Sequence, residues 1–177
     1  MQTHLLDPFD PWKLAAAGGH LQGAVRLEHM PRLNSLLAAT AGRVAVTLEA
    51  DIDAQHIAFL TGHLEAAVMV VCQRCLAPML LPLNVPFRLG LVRSEAQAAR
   101  LPEEYEPLLV PEDGLTTFAW VEDELILALP LVPLHSDLHQ CEAQGFTWPK
   151  PAPLVEQSRP FASLSVLLKN RQYYFKE

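Results

Sequence analysis

The stretch Arg43–Val44–Ala45–Val46–Thr47–Leu48–Glu49–Ala50–Asp51 decides the fold class. Val44, Val46, Leu48 and Ala50 alternate with Arg43, Thr47, Glu49 and Asp51, the period-two pattern of a strand with one face buried and the other in water. Working downstream, Ile57 and Phe59 begin a second strand, and the apolar phase changes near Gly62. Beyond it Leu64, Ala66, Val68, Val70 and Cys72 share a face. A glycine at a phase change predicts a bulge or a turn between two strands. From Leu81 to Leu91 every odd position is apolar, while Pro82 and Pro86 share the even parity. Backbone N–H groups of one parity point the same lateral way, so that side lacks two ladder donors. The pattern predicts an edge strand whose proline-bearing side is open or covered by a loop.

Upstream, Leu21, Gly23, Val25 and Leu27 mark a short strand, and Pro31 starts a brief helix through Leu33, Leu36 and Leu37. Residues 1–20 lack periodicity and read as an irregular arm carrying Phe9 and Trp12. Past the strands, Ser94–Glu95–Ala96–Gln97 has the form of a capping box opening a short helix. Residues 103–112 read as loop or short strand. Phe118, Val121, Leu125 and Ala128 recur at helical spacing, with Thr116 or Thr117 as cap and an end before Pro130. A last helix is expected near Pro160, along Phe161, Leu164 and Leu168. The fold expected is α+β: an antiparallel meander of four or five strands, or a partial barrel, with two or three packed helices. The expected organisation is an arm over 1–20, one domain over 21–170 and a tail over 171–177.

The 177 residues, half of them hydrophobic and 19% charged, suit one globular core. Three cysteines make a poor disulfide framework and point to a reducing cytoplasm. The first eight residues do not read as a signal peptide, and Leu125–Leu134 is proline-interrupted and too short to span a bilayer. The net charge of −7 argues against a chain that wraps nucleic acid. Its distribution says more. No Lys or Arg lies between Arg100 and Lys150, a span holding Glu103, Glu104, Glu106, Glu112, Asp113, Glu122, Asp123 and Glu124. Such a face repels an RNA backbone and attracts a basic protein; the plainer alternative is a solvated acidic surface.

The sharpest local motif is Cys72–Gln73–Arg74–Cys75. A C-x-x-C pair at a strand end can hold two corners of a zinc tetrahedron. Leu134–His135–Ser136–Asp137–Leu138–His139–Gln140–Cys141 could supply the rest, with Cys141 and His139 as the first choice and His135 as the alternative ligand. The competing reading is a buried strand thiol, a reduced turn thiol and a surface histidine. Asp51 and Asp53 share a strand face, yet they sit where a turn is due, and turns favour aspartate. Ser136 between His135 and Asp137 has no elbow motif, and adjacent residues cannot make triad geometry. Phosphate-loop and dinucleotide-turn motifs are absent from the sequence. No catalytic set assembles, and the chain reads as a non-enzyme. Cations that could meet RNA are Arg74, Arg88 and Arg93, with Lys169 and Arg171 in the aromatic tail.

Val71–Cys72–Gln73–Arg74–Cys75–Leu76, Val92–Arg93–Ser94–Glu95, Leu101–Pro102–Glu103–Glu104–Tyr105–Glu106–Pro107, the run Val121–His135 and Pro160–Phe161–Ala162–Ser163–Leu164 together resemble the YceD-like family of large ribosomal RNA subunit accumulation proteins. The resemblance implies a cytoplasmic, non-enzymatic factor acting on the synthesis, processing or stability of 23S ribosomal RNA. It carries over no catalytic residue. Relatives have further cysteines near His139 and Cys141, where this chain keeps one. An acidic chain need not touch the RNA it affects. The expectation is therefore an adaptor whose acidic residues Glu103, Glu104, Glu106, Glu122, Asp123 and Glu124 receive a basic ribosomal protein or large-subunit assembly factor. Direct ribosomal RNA binding and a metal-dependent hydrolase are the alternatives; no membrane partner is expected.

Overall fold

A computed structural model describes residues 9–148 together with 161 and 164. The chain divides into a unit Met1–Phe146 and a unit Thr147–Glu177. In the first, five strands lie in the order of the sequence: β1 (His20–Arg26), β2 (Arg43–Ile52), β3 (Ala58–Val71), β4 (Pro78–Val92) and β5 (Glu106–Leu109). Neighbours from β1 to β4 are antiparallel, and β5 joins β4 in parallel. The sheet is open, with β1 and β5 at its edges, so the meander is seen and the barrel alternative finds no closing pair among the described residues. The helices are α1 (Pro11–Ala16), α2 (Pro31–Asn34), α3 (Glu95–Ala98), α4 (Thr117–Ala128) and α5 (Leu138–Ala143). Five described helices replace the two or three expected, because most are too short to leave a periodic trace.

β2 follows its alternation: Val44, Val46, Leu48 and Ala50 are buried. They meet Leu60, Leu64, Val68 and Val70 of β3 and Leu83, Phe87, Leu89 and Leu91 of β4. Burying each such side chain contributes about 1.5–3 kcal/mol. On this face Trp120, Val121 and Leu125 of α4 complete the core, with the Trp120 and Phe87 rings edge-to-face at 5.2 Å. α2 packs on α4, and α1 on β2 and β3.

Two expectations fail here. β3 is one continuous strand with no bulge or turn at Gly62; its pairing with β2 and β4 runs through that residue in constant register. Its even positions face the core on both sides of Gly62. The apparent earlier phase came from Phe59, which lies on the other face beneath Arg88 and against Tyr105. The arm is not irregular over its second half: Asp10 caps α1 by accepting from the N–H groups of Trp12 and Lys13, and Phe9 bridges Leu115.

The proline argument holds for the first part of β4 only: β5 pairs its end, so β4 is an inner strand of the sheet and not the edge strand expected. β4 pairs with β3 from Pro78 to Gly90, but with β5 only over Leu89–Val92. Val92 accepts from the Val110 N–H at 2.9 Å, which shows that even-numbered backbone groups of β4 face β5. Pro82 and Pro86 therefore project their missing donors to the unpaired edge. α3 forms at Ser94 without a closed capping box; Gln97 accepts instead from the Arg93 N–H at 2.7 Å. α4 spans the helix expected, with Thr116 as its N-cap in extended backbone and making no side-chain cap bond. The expected helix along 160–168 and the tail cations Lys169 and Arg171 lie outside the described residues, apart from Leu164, whose N–H reaches Phe161 O at 3.0 Å.

Among the described residues no helix is long and apolar enough to cross a membrane.

Candidate metal centre and acidic face

Cys72 directly follows β3, and its N–H and carbonyl close a turn, bonding Ala77 O and Leu76 N at 2.9 Å each. Leu76 follows with φ 60°, a left-handed conformation costing a bulky residue about 1–2 kcal/mol. That turn folds Cys75 back beside Cys72. From the far side come His135 and Cys141. Gln73 N–H donates to Pro133 O at 2.8 Å, and the His135 N–H to Cys72 Sγ at 3.5 Å.

The donor atoms of Cys72, Cys75, His135 and Cys141 all lie within 4.8 Å of one another. Cys72 and Cys141 sulfurs are 3.9 Å apart, and His135 Nδ1 is 3.4 Å from both Cys75 and Cys141 Sγ. Cys72 and Cys141 are fully buried. Burial opposes a Cys72 thiolate, but the N–H groups of Cys75, His135 and Arg74 outweigh it and bring the thiol well below its ordinary range. Burial, then the neighbouring thiols Cys75 and Cys72, push Cys141 up. The Arg74 guanidinium reaches Cys141 Sγ at 3.7 Å.

Three of the four expected ligands meet, and the fourth is corrected: His135, the alternative, stands at the cluster, and His139 does not. The reason is helical geometry. Residues two apart on a helix point to nearly opposite sides, so α5 cannot turn both His139 and Cys141 inward. His139 bonds Glu142 at 2.9 Å with 84% of its side chain exposed. The cluster could hold a metal ion with four protein donors and contains no carboxylate. Four protein ligands leave no open position of the kind that metal-dependent hydrolysis requires.

The acidic residues separate into two groups. Glu103, Glu104 and Glu106 are exposed around the start of β5. Glu124 of α4 is pushed up, first by burial and then by the charges of Glu106 and Asp123. Glu122, by contrast, is buried. Its carboxylate accepts from the backbone N–H of Arg32 at 2.6 Å and of Leu33 at 3.0 Å, and it takes the Arg32 guanidinium at 2.9 Å. Asp123 shares Arg32 at 2.6 Å. The expectation that Glu122 stands on a partner-facing surface is thus corrected: it ties α4 to α2. Nothing in the sequence marked Arg32, which lies 90 residues from Glu122.

The candidate RNA contacts are also engaged within the chain. Arg88 lies over the rings of Phe59 and Tyr105 at 5.1 and 4.8 Å and reaches Glu104 at 3.6 Å. Arg93 lies over Trp12 at 4.5 Å. Asp53 does take the turn role: it accepts from Gln55 and Ile57 N–H groups at 2.8 Å each, and from the Tyr105 hydroxyl at 2.8 Å. Partial burial raises its carboxyl, but the Ile57 N–H, the Tyr105 hydroxyl, the Gln55 N–H and the Arg88 charge outweigh that and leave it below the ordinary aspartate range. A depressed carboxylate stabilises the fold fully above its unfolded value, and that stability is lost as pH falls through the lower folded value. Asp53→Asn is therefore expected to lower the denaturant midpoint at pH 7, and the gap to wild type is expected to narrow as pH falls through the lowered folded value. Urea titrations from pH 7 to pH 2.5 check this; a gap that widens in acid would contradict it.

The segments quoted above match a family in the same order. The profile of the family described as Large ribosomal RNA subunit accumulation protein YceD covers residues 60–168. The chain belongs to the YceD family. A YceD relative from Haemophilus influenzae, itself named Large ribosomal RNA subunit accumulation protein YceD, is 35% identical over 162 residues, spanning 89% of this chain and 92% of that protein. The YceD match thus takes in most of β3, all of β4, β5 and α4, and the whole cysteine–histidine cluster. No solved structure matches.

Proposed function

We propose that this chain supports the accumulation of large-subunit ribosomal RNA as a non-enzymatic cytoplasmic factor, capturing a basic ribosomal protein or assembly factor on an acidic face. The process follows from the family and from the name its relative bears. The working unit in this reading is the domain over 21–170.

The observation that carries the mechanism is the crowding of carboxylates between α4 and the start of β5. Burial first, and then the charges of Glu106 and Asp123, raise the Glu124 carboxyl, and Glu103 and Glu104 stand exposed close to Glu106 in sequence. A cationic partner relieves such repulsion, whereas a phosphate backbone adds to it. The occupation of Arg88 and Arg93 by aromatic rings supports the same choice. With Glu122 enclosed and Asp123 shared with Arg32, the face rests on Glu103, Glu104, Glu106 and Glu124.

The triple substitution Glu103→Lys, Glu104→Lys and Glu106→Lys is expected to weaken capture of the basic partner at least tenfold, because like charges facing across an interface cost several kcal/mol. In cells lacking the native protein, wild type should restore the 23S-to-16S ratio and the triple variant should not, while both melt at similar temperatures. Full restoration by a folded triple variant would sink the acidic-face reading.

A further inference from the structure

The geometry points to a structural zinc site formed by Cys72, Cys75, Cys141 and Nδ1 of His135, which fastens the segment 130–143 onto the turn between β3 and β4. This is independent of the proposed partner and of the acidic face.

The first support is metric. Zinc–sulfur bonds of about 2.3 Å and zinc–nitrogen bonds of about 2.0–2.1 Å, set at tetrahedral angles, require sulfur–sulfur edges near 3.8 Å and sulfur–nitrogen edges near 3.5 Å. The observed edges are 3.9 Å for Cys72–Cys141 and 3.4 Å for both Cys75–His135 and Cys141–His135. Four donors converge on one centre, from two segments separated by about sixty residues of chain.

The second support is mechanical. α5 has six residues, far below the length at which an isolated helix is stable, and its one buried residue is Cys141. The stretch leading to it, residues 130–137, forms no helix or strand, and Leu131 and Val132 are exposed. An ordinary apolar anchor is therefore missing from this segment. A metal bond at Cys141 and another at His135 supply one at each end of the 135–141 span.

The third support is charge. Three thiolates and a neutral imidazole around Zn²⁺ leave a net charge of −1, and Arg74, between the two cysteines of the turn, directs its guanidinium at Cys141 Sγ. That assigns Arg74 to the site rather than to RNA.

The full chain, purified under reducing conditions, should carry one zinc ion by plasma mass spectrometry. After chelation and buffer exchange, Co²⁺ alone should give the visible bands of a tetrahedral thiolate complex. His135→Ala and Cys141→Ser should each lose the metal, while His139→Ala retains it. Hydrogen exchange should quicken across 133–143 and at residues 72–76 on zinc removal, with β2 unchanged. The wild-type titration stands even where a ligand variant does not fold. A folded, reduced chain that takes up neither zinc nor cobalt would overturn the site. Loss of metal in His139→Ala with retention in His135→Ala would overturn the ligand set, and unchanged exchange across 133–143 would overturn the fastening role.

Discussion

Glu122→Ala lowers the stability of this chain by about 3 kcal/mol, the expectation for two buried backbone donors left without an acceptor at about 1–3 kcal/mol each. Those donors are the N–H groups of Arg32 and Leu33 at the start of α2, and Glu122 Oε1 takes both. Arg32 is left in contact with water and with Asp123, so its stranding adds less than a fully enclosed pair would. For a chain of this length the loss corresponds to a fall in Tm of roughly 6–12 °C. Glu122→Gln keeps an acceptor oxygen and is expected to fall between the two. Calorimetry of the three proteins checks the order; an alanine variant as stable as wild type would mean that α4 and α2 are not joined through this carboxylate.

Gly62→Ala is expected to be at least as damaging, for a steric reason. A Cβ at position 62 would overlap the carbonyl oxygen of Thr47 on β2 and come within 3.0 Å of the Phe87 ring. Both neighbours belong to strands hydrogen-bonded to β3, so neither moves without breaking the ladder. Its φ of 158° adds backbone strain for any residue with a side chain. Overpacking of this kind costs roughly 3 kcal/mol, the upper part of its usual range. Guanidinium unfolding should show the shift in midpoint, and a variant that unfolds with wild type would contradict the close approach of β2 to β3.

Gly62 also illustrates what the sequence could and could not disclose. Where one face is buried and the other wet, as in Val44–Ala50 and Leu81–Leu91, alternation alone located the strand and its inward residues. The prolines of β4 revealed its free edge, because a missing donor is a local property. β3 misled because its outward Phe59 is apolar for a tertiary reason, the cover given by Arg88 and Tyr105, and because Gly62 interrupts the inward series. Short helices such as α1 turn on a cap rather than a period. At the cysteine cluster, residue types and the C-x-x-C spacing named both segments. The choice between His135 and His139 depended on where α5 begins, which Asp137 fixes by capping it. The Arg32–Glu122 pair joins positions 90 apart, and no local pattern encodes such a partner.

The central claim, an acidic adaptor in large-subunit RNA accumulation, is tested most directly by capture of the tagged chain from lysate at moderate salt, with and without ribonuclease. The account predicts that a basic ribosomal protein or assembly factor stays bound after ribonuclease and is lost from the Glu103→Lys, Glu104→Lys, Glu106→Lys variant. Loss of every partner on ribonuclease treatment, with large-subunit RNA recovered beforehand, would contradict it and make this chain a reader of RNA itself.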